Sequence, residues 1–170
     1  MRFIMEELHS FDISGMNLIY EDMICRYVAK TLERDLELME SCGVDRIRIE
    51  GLELRMEWEM HSFRFKGFMD RLDSVRPGEL RVVDYKTGKV TGKDVDITPG
   101  NASAVVEKLF GKDNKDRPKI ALQLYLYDVA LKGSPLLKGR RIVNSIYQTG
   151  DLFVSGVKEV SLCEDFAHLM

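Results

Sequence analysis

Cysteine is scarce in this chain of 170 residues, and Cys25, Cys42 and Cys163 form an odd set with no C-x-x-C spacing. Neither a disulfide framework nor a structural zinc site follows from them. Free thiols fit a reducing, cytoplasmic setting. No apolar run approaches the roughly 20 residues of a membrane helix, and the opening residues lack the layout of a signal peptide. Internal repeats and low-complexity tracts are missing too. The charge is nearly balanced, 25 basic against 28 acidic side chains, for a net −3. That is not the basic excess usual in nucleic-acid binders, although local distribution counts for more than the sum. What is present, 45% apolar and 31% charged residues, is the composition of one globular domain over 1–170 that buries its own core.

The informative stretch is Lys66 to Gly88, K-G-F-M-D-R-L-D-S-V-R-P-G-E-L-R-V-V-D-Y-K-T-G. It reads as a strand through Asp70, a Pro77-Gly78 turn, and a second strand carrying Asp84 and Lys86. Side chains alternate on a strand, so Val82, Asp84 and Lys86 share one face and Val83 and Tyr85 the other. With a turn at Arg76 to Gly78, Asp70 lies across from Asp84, Cβ atoms about 5 Å apart. Two like charges that close destabilise a hairpin unless a cation sits between them. Lys86 offers one positive charge, and a divalent metal offers more. Carboxylates around a hard cation, with a lysine beside them, suit metal-assisted phosphodiester hydrolysis. Asp73 falls on the opposite face and reads as structural. Arg71 is left between pinning the meander and contacting a phosphate.

The surrounding elements give the layers. Ile24, Val28, Leu32, Leu36 and Met39 recur at helical spacing within Asn17–Cys42, which predicts a core-facing helix capped by Asn17 and ended by Gly43. Residues 46–60 alternate as a strand with a break at Gly51, and His61-Ser62 turns into the next strand. Strands 52–60, 63–73 and 79–86 make an antiparallel meander. Beyond it, 87–117 is irregular and lysine-rich, with Lys89, Lys93, Lys108, Lys112 and Lys115, and a short helix at 102–110. Its G-K-V-T-G-K-D has the wrong spacing for a phosphate loop. A strongly apolar helix follows Pro118, with Asp116 as cap and Gly133 as stop. Gln123 and Tyr127, one turn apart, share one face of it. R-R-I-V-N-S-I-Y-Q is a strand, D-L-F-V-S its expected partner, and the last residues a helix. His9 reads as a packing or surface residue.

G-F-M-D-R-L-D, then V-V-D-Y-K-T-G, then Q-L-Y-L-Y, in that order, resemble the PD-(D/E)XK nuclease superfamily over about Leu52 to Leu131. The nuclease domain at the C-terminus of AddB- and RecB-type helicase-nucleases is the nearest look. The resemblance implies an α/β (α+β) restriction-endonuclease-like core, a central mixed sheet with an antiparallel meander flanked by helices. It implies a Mg²⁺- or Mn²⁺-dependent deoxyribonuclease of DNA repair or recombination. Asp70, Asp84, the Tyr85 backbone carbonyl and Glu53 would hold the metal, and Lys86 would polarise water or phosphate. Gln123, Tyr127 and Arg71 would position the substrate. Glu53 also reads as the solvated face of an edge strand. The upstream histidine-bearing helix of such nucleases has no equivalent here, which suggests a C-terminal piece of a longer protein with a helicase-like region before it. Cys163 alone cannot supply the four cysteines of the iron–sulfur cluster some relatives carry, so none is expected. The rival reading is a catalytically weak module of the same fold that binds DNA ends or docks a partner.

Overall fold

The structure is a computed structural model that describes residues 14–112, 117–154, 157–160 and 162–170. Its elements run α1 (Met16–Cys42), β1 (Arg48–Met60), β2 (Phe63–Ser74), β3 (Glu79–Lys86), α2 (Gly92–Val95), α3 (Ala102–Phe110), α4 (Lys119–Lys132), β4 (Arg141–Gln148), β5 (Val157–Val160) and α5 (Glu164–Leu169). The strands form one sheet in the order β1-β2-β3-β4-β5. β1 to β3 are an antiparallel meander, β4 joins β3 in parallel, and β5 closes the edge antiparallel to β4. It is the mixed sheet flanked by helices that the sequence predicts.

Local chemistry sets the register. His61 and Ser62, both at positive φ, make the two-residue turn that joins β1 to β2. The β1 register slips between Ile49 and Gly51, at the break the sequence marks. Between β2 and β3, Pro77 and Gly78 occupy a turn closed by Glu79 N–H to the Arg76 carbonyl, with Gly78 at φ 75. The pairs Asp73–Arg81, Leu72–Val82 and Arg71–Val83 follow.

One face of the sheet buries Met69, Leu72, Leu80, Val82 and Ile146 under Leu124, Tyr127, Ala130 and Leu131 of α4. The outer side of α4 is covered by Ala102, Val105 and Leu109 of α3 and Phe166 of α5. This explains why α4 is apolar nearly all round. The Pro118 position caps it; the proposed cap Asp116 and Lys115 lie outside the described residues, as does His9.

The other face carries α1, and here the prediction is corrected. Ile24, Val28, Leu32 and Leu36 are exposed, from 44% to 57%. The helix meets this side of the sheet through Tyr27, packed against Val83, Tyr147 and Leu152, and through polar groups. Asp35 is buried and accepts two hydrogen bonds from the Arg71 guanidinium, at 2.7 and 2.9 Å, and one from the Tyr147 hydroxyl at 2.6 Å. Arg71 and Arg81 both donate to Asp73, which is fully buried. Two guanidinium groups thus neutralise two carboxylates, the condition for burying charge. Gly15, not Asn17, occupies the N-cap, and Gly43 ends the helix in the left-handed region. A second correction concerns residues 151–154, which are a turn over Gln148; the partner of β4 is Val157–Val160.

Candidate active site

The carboxyl end of β3 delivers the polar groups. Asp84 and Lys86 sit on the α4 side of the sheet by the alternation of the strand, and the Lys86 ammonium lies 2.7 Å from Asp84 Oδ2. Lys86 also donates to Gln123 Oε1 at 2.7 Å. Gln123 Nε2 donates to Asp84 Oδ1 at 2.9 Å and to the Tyr127 hydroxyl at 2.7 Å. The Tyr127 hydroxyl in turn donates to the Phe68 carbonyl on β2. The amide of Gln123 has only one orientation here: an ammonium can only donate and a carboxylate can only accept. α4 thereby locks the lysine and the aspartate into one geometry.

Asp70 belongs to the same end of the sheet. The β2–β3 ladder stops at Arg71–Val83, and past its end the Tyr85 backbone N–H donates to Asp70 Oδ2 at 2.8 Å. The Tyr85 ring points to the far face, where its hydroxyl accepts from Arg71 and its ring meets Tyr147 edge-on. Burial pushes the Asp84 carboxyl up, and the Asp70 charge adds to this, against the lowering by Lys86 and Gln123. Burial likewise raises Tyr127, which stays a neutral hydroxyl.

Asp84 Oδ2 is buried, and the Lys86 ammonium at 2.7 Å is its charged partner. A buried carboxylate is costly to keep charged, and a second carboxylate close enough to raise its pKa increases that cost. A hard cation with oxygen ligands offsets it. The residues present fit such an ion.

Two predicted members are placed differently. Arg71 is not available to a substrate phosphate: it is 6% exposed, on the opposite face, and engaged by Asp35 and Asp73. Its role as a positioning residue is therefore corrected to a structural one. Glu53 is exposed, at φ 47, between the pairs Leu52–Arg71 and Leu54–Met69, which sets it across from Asp70. Among the described residues no group of three or more His, Cys, Asp or Glu is drawn together. Sequence reasoning missed Gln148, a buried residue beside Lys86 on β4 whose Oε1 accepts from Val90 N–H and fixes the segment after the lysine. Nothing in the local pattern of a buried strand marks it.

Residues 5–160 match the sequence profile of the PD-(D/E)XK nuclease superfamily. The chain belongs to that superfamily. Members are in general nucleases that use divalent metals such as Mg²⁺. The match spans the meander, the Asp84–Lys86 strand and the α4 helix alike. No curated protein matches the chain. Among the described residues no helix is long and apolar enough to cross a membrane.

Proposed function

We propose that this PD-(D/E)XK chain is a Mg²⁺- or Mn²⁺-dependent deoxyribonuclease domain, acting in a helicase-nuclease-like protein of DNA repair or recombination. The observation that carries this reading is the convergence of Asp84, Lys86 and Gln123 within hydrogen-bonding distance at one strand end, beside Asp70. Asp70 and Asp84 would hold the ion, with the Tyr85 carbonyl and Glu53 completing an oxygen shell of the kind hard cations prefer. When bound, the ion supplies Lewis acidity toward the phosphate and a more acidic water. Lys86, held by Gln123, faces the phosphate and stabilises the charge that develops on its oxygens. Tyr127 keeps Gln123 aimed, so the lysine needs no reorganisation as the reaction proceeds. The three unpaired cysteines suit a reducing, cytoplasmic setting, and an upstream helicase-like region would present the strand.

The test is cleavage of end-labelled single- and double-stranded DNA with Mg²⁺ or Mn²⁺, against a chelator control. Asp84→Asn and Lys86→Ala should each slow cutting by about 10²- to 10³-fold, the usual loss when a charge-stabilising group is removed, with circular dichroism unchanged. Cutting by both variants at the wild-type rate overturns the assignment. Binding of DNA without cutting under either metal would replace it with the end-binding module.

A further inference from the structure

A cavity of about 550 Å³ opens between the α2 turn, α3 and the start of α4, and its walls carry Lys93, Lys108, Arg117 and Lys119. Two acids line it as well, Asp94 and Asp96. Asp94 is committed to its own turn, where it accepts from the Thr91 N–H at 2.8 Å and the Thr91 hydroxyl at 2.7 Å. The Asp96 carboxylate folds back over Gly92, so closely that an added Cβ there would lie 2.3 Å from Oδ2. Four cationic side chains thus line the cavity against two carboxylates, one of which has an oxygen already engaged by Thr91. Arg117 donates to the Gly111 carbonyl with one nitrogen, and among the described residues its other donors make no hydrogen bond.

The cavity is attached to the catalytic elements at two points. One wall is the segment that leaves β3 after Lys86; the other begins at Lys119, the first residue of α4. Lys119 and Gln123 are one helical turn apart, about 6 Å along the axis, and on one face of the helix. A strand that runs from a phosphate at Lys86 along this face of α4 would reach the basic wall within about two nucleotides, since stacked nucleotides advance about 3.4 Å each.

We propose that this cavity is a binding subsite for the backbone of the nucleic-acid strand adjoining the bond that is cut, with Lys93, Lys108, Arg117 and Lys119 as its phosphate contacts. The proposal rests on the nuclease reading, and it assigns the cavity to strand phosphates in particular. Contacts of this kind carry no base information and would give grip and register on the strand, so the enzyme should be tolerant of sequence at that position.

The test separates the cavity from the chemistry. Binding of a fluorescent single-stranded oligonucleotide is followed by anisotropy in chelator over a salt series, for the wild type and for Lys93→Gln/Lys108→Gln. Both lysines are exposed, so the fold is not at stake. Loss of two phosphate contacts should lower the slope of log K against log[salt] by about 1.4 for a single strand. Lys132→Gln/Lys138→Gln removes the same charge at and beyond the far end of α4 and should leave the slope unchanged. An equal fall in both pairs, or no fall in the first, overturns the proposal. So does competition by inorganic phosphate as strong as that by a dinucleotide, which would make the cavity a free-anion site. Failure of the wild type to cut bis(4-nitrophenyl) phosphate in any metal counts against the nuclease reading, while the binding slopes still decide the cavity.

Discussion

Gln123 of α4 accepts a 2.7 Å hydrogen bond from the Lys86 ammonium of β3 and returns one of 2.9 Å to Asp84 on the same strand. A single amide spans the helix and sheet layers and sets the spacing of a cation and an anion. Removing it with Gln123→Ala takes one acceptor from the lysine and the one donor from Asp84 Oδ1. Second-sphere groups of this type are worth about 10- to 100-fold in metal affinity or rate. The expected result is a loss of that size that appears mainly in kcat and in the metal concentration needed, with the KM for DNA little changed. A change confined to KM would assign Gln123 to substrate contact instead.

Glu53 gives a prediction of opposite signs. A non-glycine residue at φ 47 costs roughly 1–2 kcal/mol relative to ordinary backbone, and such strain tends to persist where function needs it. Glu53→Gly should therefore raise the unfolding midpoint in urea. If the carboxylate opposite Asp70 completes the metal shell, the same variant should need more Mg²⁺ and cut more slowly. A stabilised variant with unchanged metal dependence would leave Glu53 as a surface residue of β1.

The polar anchor of α1 is the feature that sequence periodicity could not find. The apolar set Ile24, Val28, Leu32 and Leu36 has helical spacing, and apolar stripes usually face a core. Here the buried polar contacts are made by Asp35, Arg71, Asp73 and Arg81, which come from three different elements and leave no periodic signal. The meander, its register and α4 were legible, because strand alternation, a Pro-Gly turn and an apolar run bounded by proline and glycine are local signals. The pairing of Asp84 and Lys86 on one face was legible for the same reason. Arg71 was not, since the motif it sits in also holds Asp70, at the Asp84 end of the sheet, and the buried Asp73, and only parity separates the two environments. The basic segment 87–117 was visible as composition, but its cavity needed three dimensions to appear.

Breaking that anchor should be severe. Asp35→Ala leaves Arg71 and Arg81 with buried charge they share only with Asp73, a situation that typically costs about 3–5 kcal/mol. Burial alone would raise the Asp35 pKa, but bonds from Arg71 and Tyr147 and the two guanidinium charges hold it below its ordinary 3.8. A lowered carboxyl contributes stability that is complete above about pH 4 and lost as pH falls through the lower, folded-state value. Wild type should thus show an acid unfolding limb below pH 4 that Asp35→Asn largely lacks, the variant being weaker throughout the neutral range. Equal acid limbs in urea titrations of the two proteins would mean that Asp35 is not the group being titrated.

Asp128 titrates in the contrary sense, and the two can be told apart in one series. Burial, the dominant cause, pushes its carboxyl up to about 6 from 3.8, against the lowering by the Asn144 amide at 3.0 Å and the Lys132 charge. Between those values the folded chain holds a proton that the unfolded chain has released. Stability from this group is therefore complete below about pH 4 and drains away as pH rises through 6. A shift of about two units corresponds to at most about 3 kcal/mol, and about 1–3 kcal/mol is expected for a side chain that retains some solvent. Asp128→Asn cannot ionise and keeps the Asn144 contact through its amide oxygen. Its stability relative to wild type should be near zero at pH 4 and rise by that amount at pH 7.5. Because Asp128 lies five residues beyond Gln123 on α4 and faces β4, cleavage by the variant should stay at the wild-type rate. A stability difference that is flat between the two pH values would show that the carboxyl ionises normally in the folded protein.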